Sequence, residues 1–399
     1  MSAKFEAWEL LMAVFAVPLA LRVAFWHSRK LFARHAAATS ATTSAPLPST
    51  PPHLAPLRPP VLAIVGASLR LPHGASTQAL ATAPADHCGD ATVDDASRAA
   101  ILAWLTENGL ADLRFSDEQW RALVLATQVT AELADQAAQC LMPAGDPSGL
   151  LRPLRLIPLL PAEWNSAQRR AAGQWLEHTV AQAGWPASRI ERARSALPGP
   201  DEASPAAPFG HLAHEAVLTN APLSALVVAC ASHVGGAAGL FVLDERQARS
   251  IGAAAIVHLE ALKEGRRDSS ADAGREVDTA LLTGVIDSAL AHAGAAPADV
   301  AMVVADTGER PRRVLELMGS VAALSRLDPG RDIVHVGTAC CSCGVVSFIA
   351  ALALARHHAL AREAPVLCVS NEDACRRIAA LLMLPALVSP EHPRSRSTP

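Results

Sequence analysis

Short apolar runs alternate with longer segments of helical periodicity along most of this chain. The apolar runs start at or next to Val61, Leu154, Leu223, Gly252, Val300, Asp332 and Pro365. Most of their consecutive positions are apolar, which is typical of strands that are buried on both faces. Alternation of such strands with helices predicts an α/β fold with a largely parallel sheet that helices cover on both sides.

The segments between the strands have recognisable helix starts and stops. In the first half, helices are predicted over residues 95–108, 116–140 and 166–184. Asn165 or Ser166 caps the third of these, and Gly184 ends it. In the second half, helices are predicted over residues 273–293, 313–324, 345–360 and 373–384. The glycine-rich stretch 231–239 lacks the spacing of a phosphate-binding loop and is interpreted as a flexible turn.

The N-terminal segment 8–26 is apolar and long enough to span a bilayer as a helix. Basic residues follow it at Arg29, Lys30 and Arg34, and this bias predicts that the body of the protein is cytoplasmic. A cleaved signal peptide and an interfacial or soluble helix are the alternatives. We expect an uncleaved, single-pass anchor.

Shifts in composition divide the chain into five regions. Residues 1–35 are the anchor with its basic flank, 36–60 are a disordered linker rich in Ala, Ser, Thr and Pro, and 389–399 are a disordered tail. A Pro- and Ala-rich stretch near residue 205 marks a further boundary. It separates an N-terminal α/β region at 61–205 from a C-terminal region at 206–388.

Charge and cysteine content exclude several classes of function. The 399 residues carry a formal net charge of −4 without a basic stripe, which argues against nucleic-acid binding. The eight cysteines are unevenly spaced in a long chain, which favours free thiols in a reducing compartment over a disulfide scaffold. Short basic clusters at 264–270 and 310–316 have acidic neighbours and are interpreted as solvated faces.

Three cysteines crowd one turn, at Cys340, Cys341 and Cys343. Further metal ligands would have to come from His335, Cys368 or Cys375. The cysteines lack the paired spacing of zinc sites, so we expect neither a metal site nor a cofactor. A catalytic role would make Cys340 or Cys341 a nucleophile at a helix start, with His335 close by. The favoured interpretation is that the cysteines are small packing residues below a buried helix.

Two motifs in the second half resemble those of thiolase-fold condensing enzymes, the β-ketoacyl synthases. "ADTGERPRRVLE" resembles the family's first histidine motif with its glutamate, and "VGTACCSCG" resembles the second, Gly-His motif. The matching positions are Asp306 in place of the first histidine, Thr307, Gly308, Glu316, Gly337, and Thr338 in place of the second histidine. The family's lysine and its Cys-Ser nucleophile have no counterpart. The resemblance, over residues 225–382, implies a thiolase-like layered fold without the catalytic residues.

Residues 151–190 are similar to adaptor proteins encoded beside lipase effectors of bacterial type VI secretion. The shared features are a Pro-Leu-Leu-Pro strand, a helix with Trp175 and a Gly-Trp-Pro sequence. This resemblance implies a protein that captures a toxin and delivers it to the secretion spike. Trp164, Trp175 and Trp185 are the candidate partner-binding residues, since tryptophan is enriched in interface hot spots. Helix-to-sheet packing is the favoured interpretation of these residues, against which the partner-binding role is weighed.

Together these features predict a membrane-tethered, thiolase-like adaptor without enzymatic activity. An acyl-transfer or condensing enzyme that uses the cysteine turn is one alternative. A protein that retains an acyl- or lipid-binding pocket is another.

Overall fold

The structure is a computed structural model in which the following residues are described: 61–72, 77, 95–141, 153–192, 204–219, 221–233, 235–251, 255–272, 276–324, 326–339 and 344–385. The predicted membrane segment, the linker and the C-terminal tail lie outside these residues. The same is true of Cys340, Cys341 and Cys343.

The described residues form a sheet with helices on its faces. The strands are β1 (Leu62–Arg70), β2 (Leu154–Leu159), β3 (Ile190–Arg192), β4 (Ser224–Ala231), β5 (Gly236–Asp244), β6 (Val257–Arg266), β7 (Met302–Ala305), β8 (Ile333–His335), β9 (Val366–Ser370) and β10 (Arg376–Met383). The helices are α1 (Asp95–Glu107), α2 (Asp117–Leu141), α3 (Ser166–Gln182), α4 (Ala207–Thr219), α5 (Glu245–Ile251), α6 (Ala280–Ala293), α7 (Pro311–Val321), α8 (Val336–Ala339) and α9 (Val345–Arg362).

The same strand order occurs twice in the sheet, which runs β3-β2-β4-β5-β1-β6-β10-β9-β7-β8. The strands of each half can be numbered 1 to 5 along the chain, as β1–β5 in the first half and β6–β10 in the second. Each half then has the order 3-2-4-5-1 from its outer edge to the middle of the sheet. The equivalent strands β1 and β6 meet antiparallel in the middle, where Leu62 pairs with Leu259 and Ile64 with Val257. The two halves therefore share one topology and are related by an approximate twofold rotation.

The sheet is mixed, so the prediction of a largely parallel sheet is wrong. The pairs β2–β3, β2–β4, β7–β8 and β7–β9 are parallel. The pairs β1–β5, β1–β6, β4–β5, β6–β10 and β9–β10 are antiparallel. In each half the fifth strand folds back on the fourth as a hairpin, and this reversal mixes the directions.

The predicted helix at residues 373–384 is the strand β10. Its six central residues are buried, and a short run buried on both faces has no periodicity that separates a strand from a helix. The Asp373 carboxylate accepts hydrogen bonds from the backbone amides of Cys375 at 2.7 Å and Arg376 at 2.8 Å. These bonds form the turn that sends β10 back along β9.

The glycine-rich stretch interpreted above as a flexible turn contains the start of the buried strand β5. A Cβ atom at Gly239 would lie 2.6 Å from Leu133 Cδ1 and 2.8 Å from Val129 Cγ1 of α2. Glycine at this position thus permits the close approach of a helix to the sheet, a packing role and not a phosphate-binding one.

Helices cover the sheet in three layers. One layer, α1, α2 and α3, packs on the outer face of the first half, and α6 and α7 pack on the outer face of the second. Helices α4 and α9 lie between the inner faces of both halves, where the rings of Phe209 and Phe348 are 6.4 Å apart. Within the described ranges, α9 alone is long and apolar enough to cross a membrane, and its central position accounts for that composition.

Candidate functional site

The carboxyl ends of β7, β8 and β9 meet at one edge of the sheet. These strands are parallel, and Ala305 pairs with His335 on one side and with Val369 on the other. Asp306, which follows Ala305, and Ser370, which follows Val369, therefore lie at the same edge. Ligands of α/β proteins bind outside the carboxyl ends of parallel strands, which makes this edge the candidate site.

Asp306, which the resemblance matches to the first histidine of the condensing enzymes, is buried and bonded to the end of β9 and the loop after it. Its carboxylate accepts a hydrogen bond from Ser370 Oγ, one from the backbone amide of Asn371 at 2.9 Å and one from that of Glu372 at 3.3 Å. Burial raises the pKa of Asp306 to about 6, against the opposing effect of these hydrogen bonds. The carboxyl group therefore titrates near neutral pH.

Two more contacts tie the loop after β7 to the loop after β9. Thr307 Oγ1 donates a hydrogen bond to Asn371 Oδ1, and the backbone amide of Gly308 donates one to Glu372 Oε2 at 3.0 Å. Glu372 is buried and also pairs with the partly exposed Arg310 at 3.1 Å. The residues matching the family's first motif thus form one hydrogen-bonded unit with the β9–β10 hairpin.

The second motif touches the first at Gly337. A Cβ atom at this glycine would lie 2.1 Å from the carbonyl oxygen of Asp306 and 2.5 Å from the backbone nitrogen of Gly308. Only a residue without a side chain fits there. Gly337, in the segment that resembles the second motif, thus packs against the loop after β7, which resembles the first motif.

The interpretation of residues 310–316 as a solvated face is wrong for Arg313 and Glu316, which are buried, while the side chain of Arg310 is 53% exposed. Glu316 is buried on α7, and its Oε1 atom accepts hydrogen bonds from Arg267 Nη2 and Arg377 Nε, each at 2.7 Å. Arg313 and Arg377 are buried as well. The chain turns these side chains inward because three strand and helix ends meet here, which short-range sequence patterns do not reveal.

His335, the candidate base beside the cysteine turn, is the last residue of β8 and is partly buried. Burial lowers its pKa, so the imidazole is neutral at pH 7. Cys368 on β9 is fully buried, and burial raises the pKa of its thiol, as does the charge of Asp306. Cys368 is therefore a protonated core residue and not a thiolate nucleophile. The described part of the chain contains no group of three His, Cys, Asp or Glu side chains placed to hold a metal.

The three tryptophans proposed as partner-binding residues are internal. Each indole N–H has a partner inside the protein: Ser232 Oγ at 2.7 Å for Trp164, Thr127 Oγ1 at 2.8 Å for Trp175 and the carbonyl of Ala134 at 3.3 Å for Trp185. All three rings pack in the core between the sheet and its outer helices. The three rings therefore serve helix-to-sheet packing and are not partner-binding residues, since buried rings with satisfied N–H groups offer a partner no surface.

Sequence reasoning missed Ser370, Asn371 and Glu372. Three consecutive polar residues at the end of a buried apolar strand are the available signal, because strand ends carry many functional residues. The predicted helix at 373–384 hides this signal, since a hairpin and a helix place these side chains differently.

Comparison with known proteins identifies the fold. Neither a protein-family profile nor a curated protein sequence matches the chain. Among solved structures, the oxazolomycin ketosynthase domain OzmH KS8 of Streptomyces albus JA3453 has 16% identity and a TM-score of 0.50, over 82% of this chain and 95% of that one. The type II ketosynthase AntDE, solved with the acyl-carrier protein AntF, has 11% identity and a TM-score of 0.53, over 82% and 100% of the two chains.

A third similar structure is the ketosynthase from module 6 of the bacillaene synthase of Bacillus subtilis 168. It has 12% identity and a TM-score of 0.51, and the match covers 82% of this chain and 71% of that one. At such identities the likeness concerns the fold alone. This chain has the mixed α/β, thiolase-like fold of the ketosynthases.

Proposed function

We propose that this chain is a binding protein built on the thiolase-like fold and that it has no condensing activity. The observation that supports this most is the state of Asp306. Its carboxylate is buried and accepts three hydrogen bonds from the loop after β9. These hydrogen bonds hold the loop after β7 against the end of β9 and the loop after it, which is a structural role.

The chemistry of the matching positions points the same way. Acyl transfer requires a nucleophile, a base and donors that stabilise an oxyanion. The resemblance implies that condensing enzymes supply these with a cysteine, two histidines and a lysine. An ionised carboxylate at Asp306 would repel an oxyanion, and a threonine hydroxyl at position 338 is not a base near neutral pH. On this resemblance the chain would lack the groups that the family's reaction requires, which supports the proposal.

The partner that we propose is a secreted protein, namely a lipase effector of type VI secretion. This rests on the resemblance of residues 151–190 to adaptors of such effectors. The apolar segment 8–26 would tether the body to the cytoplasmic side of the inner membrane. Since Trp164, Trp175 and Trp185 are internal, the surface that binds the effector would consist of other residues.

An acyl-transfer or condensing enzyme is the second candidate, and the neutral imidazole of His335 favours it. In this reaction the thiol of Cys340 or Cys341 passes its proton to His335 and attacks the carbonyl carbon of an acyl thioester. The carbon–sulfur bond to the donor breaks, and the departing thiolate takes the proton from His335. A carrier protein, as in the solved complex of AntDE with AntF, would be the acyl donor.

Co-purification of the full-length chain from its native membrane in a mild detergent tests the proposal. We expect one secreted protein in near-equal molar amount, and we expect the complex to re-form from the two separately purified proteins. The proposal is contradicted if the chain is isolated without such a partner and carries an acyl group on Cys340 or Cys341.

A further inference from the structure

Three arginine pairs from distant parts of the sequence converge beside α7. They are Arg266 and Arg267 at the end of β6, Arg312 and Arg313 in the first turn of α7, and Arg376 and Arg377 at the start of β10. Arg376, whose side chain is 11% exposed, pairs with Glu264 at 3.7 Å. The side chains of Arg267, Arg313 and Arg377 are 14%, 1% and 0% exposed and face Glu316. We call these three inward side chains the arginine cluster.

One buried carboxylate faces the whole cluster. Glu316 Oε1 lies 2.7 Å from both Arg267 Nη2 and Arg377 Nε, and Glu316 Oε2 lies 3.6 Å from Arg313 Nη1. Three cations and one anion leave two positive charges without a buried counter-charge. Buried ions are costly unless they are paired, so the cluster requires further negative charge.

In this structure the missing charge comes from two carboxylates at the rim. Asp272 Oδ2 lies 3.0 Å from Arg313 Nη2, and Asp278 Oδ2 lies 3.2 Å from Arg267 Nη1. The two carboxylate side chains are 44% and 60% exposed. Water solvates both carboxylates well once they leave. The cost of their departure falls on the buried arginines, and it is offset when another anion takes their place.

Donors of the cluster remain unused even with both rim carboxylates in place. Arg267 Nε, Arg313 Nε and Arg377 Nη2 have no hydrogen-bond acceptor among the described residues. A buried donor without an acceptor costs the free energy of its lost hydration, and no hydrogen bond in the protein offsets this cost. Unused donors on three guanidinium groups that share one carboxylate indicate a place for a group with several acceptor oxygens.

We propose that the arginine cluster binds a phosphate-type oxyanion, which enters where Asp272 and Asp278 now lie. A phosphate or phosphomonoester carries about −1.5 to −2 charges at neutral pH, which matches the two positive charges that Glu316 leaves unbalanced. Its oxygens accept charge-assisted hydrogen bonds from several guanidinium groups at once. This inference goes beyond the proposed function and holds for an adaptor and an enzyme alike.

Titration calorimetry of the full-length chain in detergent with inorganic phosphate, in a chloride buffer of constant ionic strength, tests this proposal. We expect wild-type protein to bind phosphate. Asp272→Asn removes a competing rim carboxylate and leaves the buried residues in place, so it should tighten binding about tenfold. Arg313→Gln should abolish binding. Arg249→Gln, which changes a surface arginine of α5 that pairs with Glu245, should bind as wild type does.

Glycerol 2-phosphate distinguishes the two sources of the anion. Binding of both compounds assigns the site to the phosphoryl group of a larger ligand, and binding of inorganic phosphate alone assigns it to the free ion. Absence of binding by wild type and Asp272→Asn alike overturns the proposal. Equal binding by Arg313→Gln and wild type also overturns it, because the phosphate would then be an adventitious ion only.

Discussion

The backbone amide of Asn371 donates a hydrogen bond of 2.9 Å to the carboxylate of Asp306. The side chain of Asn371 extends this link, because its Nδ2 atom donates to the carbonyl oxygen of Arg313 at 2.9 Å. Asp306 is thus connected through one asparagine to the first turn of α7. Buried polar networks of this kind fix the geometry of loops, so changes at Asp306 should appear first as changes in stability.

Asp306→Asn should change the pH dependence of stability. The pKa of Asp306 is raised to about 6 in the folded protein, against about 3.9 in an unfolded chain. Between these values the folded state binds more protons, so the stability of wild type falls as pH rises through this window, by about 2 kcal/mol. The asparagine variant lacks this fall.

Urea unfolding at pH values from about 4 to about 7 measures the effect. Stability of Asp306→Asn relative to wild type should increase with pH in that window and stay level above it. Asp287→Asn, an exposed position on α6, is the matched control and should show no such trend. A relative stability that is constant with pH would mean that folding does not raise the pKa of Asp306.

Gly337→Ala should destabilise the protein strongly. The new methyl group would lie 2.1 Å from the backbone oxygen of Asp306, and backbone atoms on both sides leave it no space. We expect a loss of about 3 kcal/mol or more, measured by chemical unfolding. Gly284→Ala on α6 is the control, because no atom lies within 4 Å of its Cβ position. That change should stabilise the helix by about 0.5–1 kcal/mol. Equal effects of the two changes would contradict the packing described here.

Glu316→Gln should unfold or strongly destabilise the second half. It leaves three buried guanidinium groups without their shared counter-charge, and breaking a buried ion pair in this way costs about 3–5 kcal/mol. Glu245→Gln removes a carboxylate from a surface pair with Arg249 and should cost less than about 0.5 kcal/mol. Thermal unfolding of the two variants side by side provides the measurement. A small effect at Glu316 would show that water or another group compensates the arginines.

Trp164→Phe should reduce stability without changing the affinity for a partner. The change removes the indole donor that binds Ser232 Oγ at 2.7 Å in the core, at a cost of about 1–2 kcal/mol. Ser232→Ala should add little in the phenylalanine background, and a double-mutant cycle by chemical unfolding measures this coupling. A large loss of partner affinity in a variant of near-native stability would restore the role of Trp164 as an anchor.

The fold class and the core of the site were accessible from sequence for a physical reason. Buried parallel strands have long apolar runs, and the residues that end them stand out as small or polar, as at Asp306 and Gly337. Asp306 directly follows β7 and Gly337 lies two residues after β8, and the contact between them is a finding of the structure.

The remaining features depend on contacts that no local pattern encodes. Strand β10 has the same apolar run that a buried helix would have, and its direction depends on the Asp373 turn. Arg267 and Arg313 look like solvated residues in sequence, because acidic residues flank them, and Arg377 lies in the predicted helix at 373–384. Their burial follows from the meeting of three distant chain segments around Glu316, which is a property of the tertiary structure alone.

Intact-mass spectrometry of the full-length chain after incubation with an acyl-coenzyme A thioester tests whether the chain lacks acyl-transfer activity. We expect the mass of wild type to stay unchanged, as that of a Cys340→Ala/Cys341→Ala double variant does. One acyl group on wild type that is absent from the double variant would identify an acyl-transfer enzyme and overturn the proposed function.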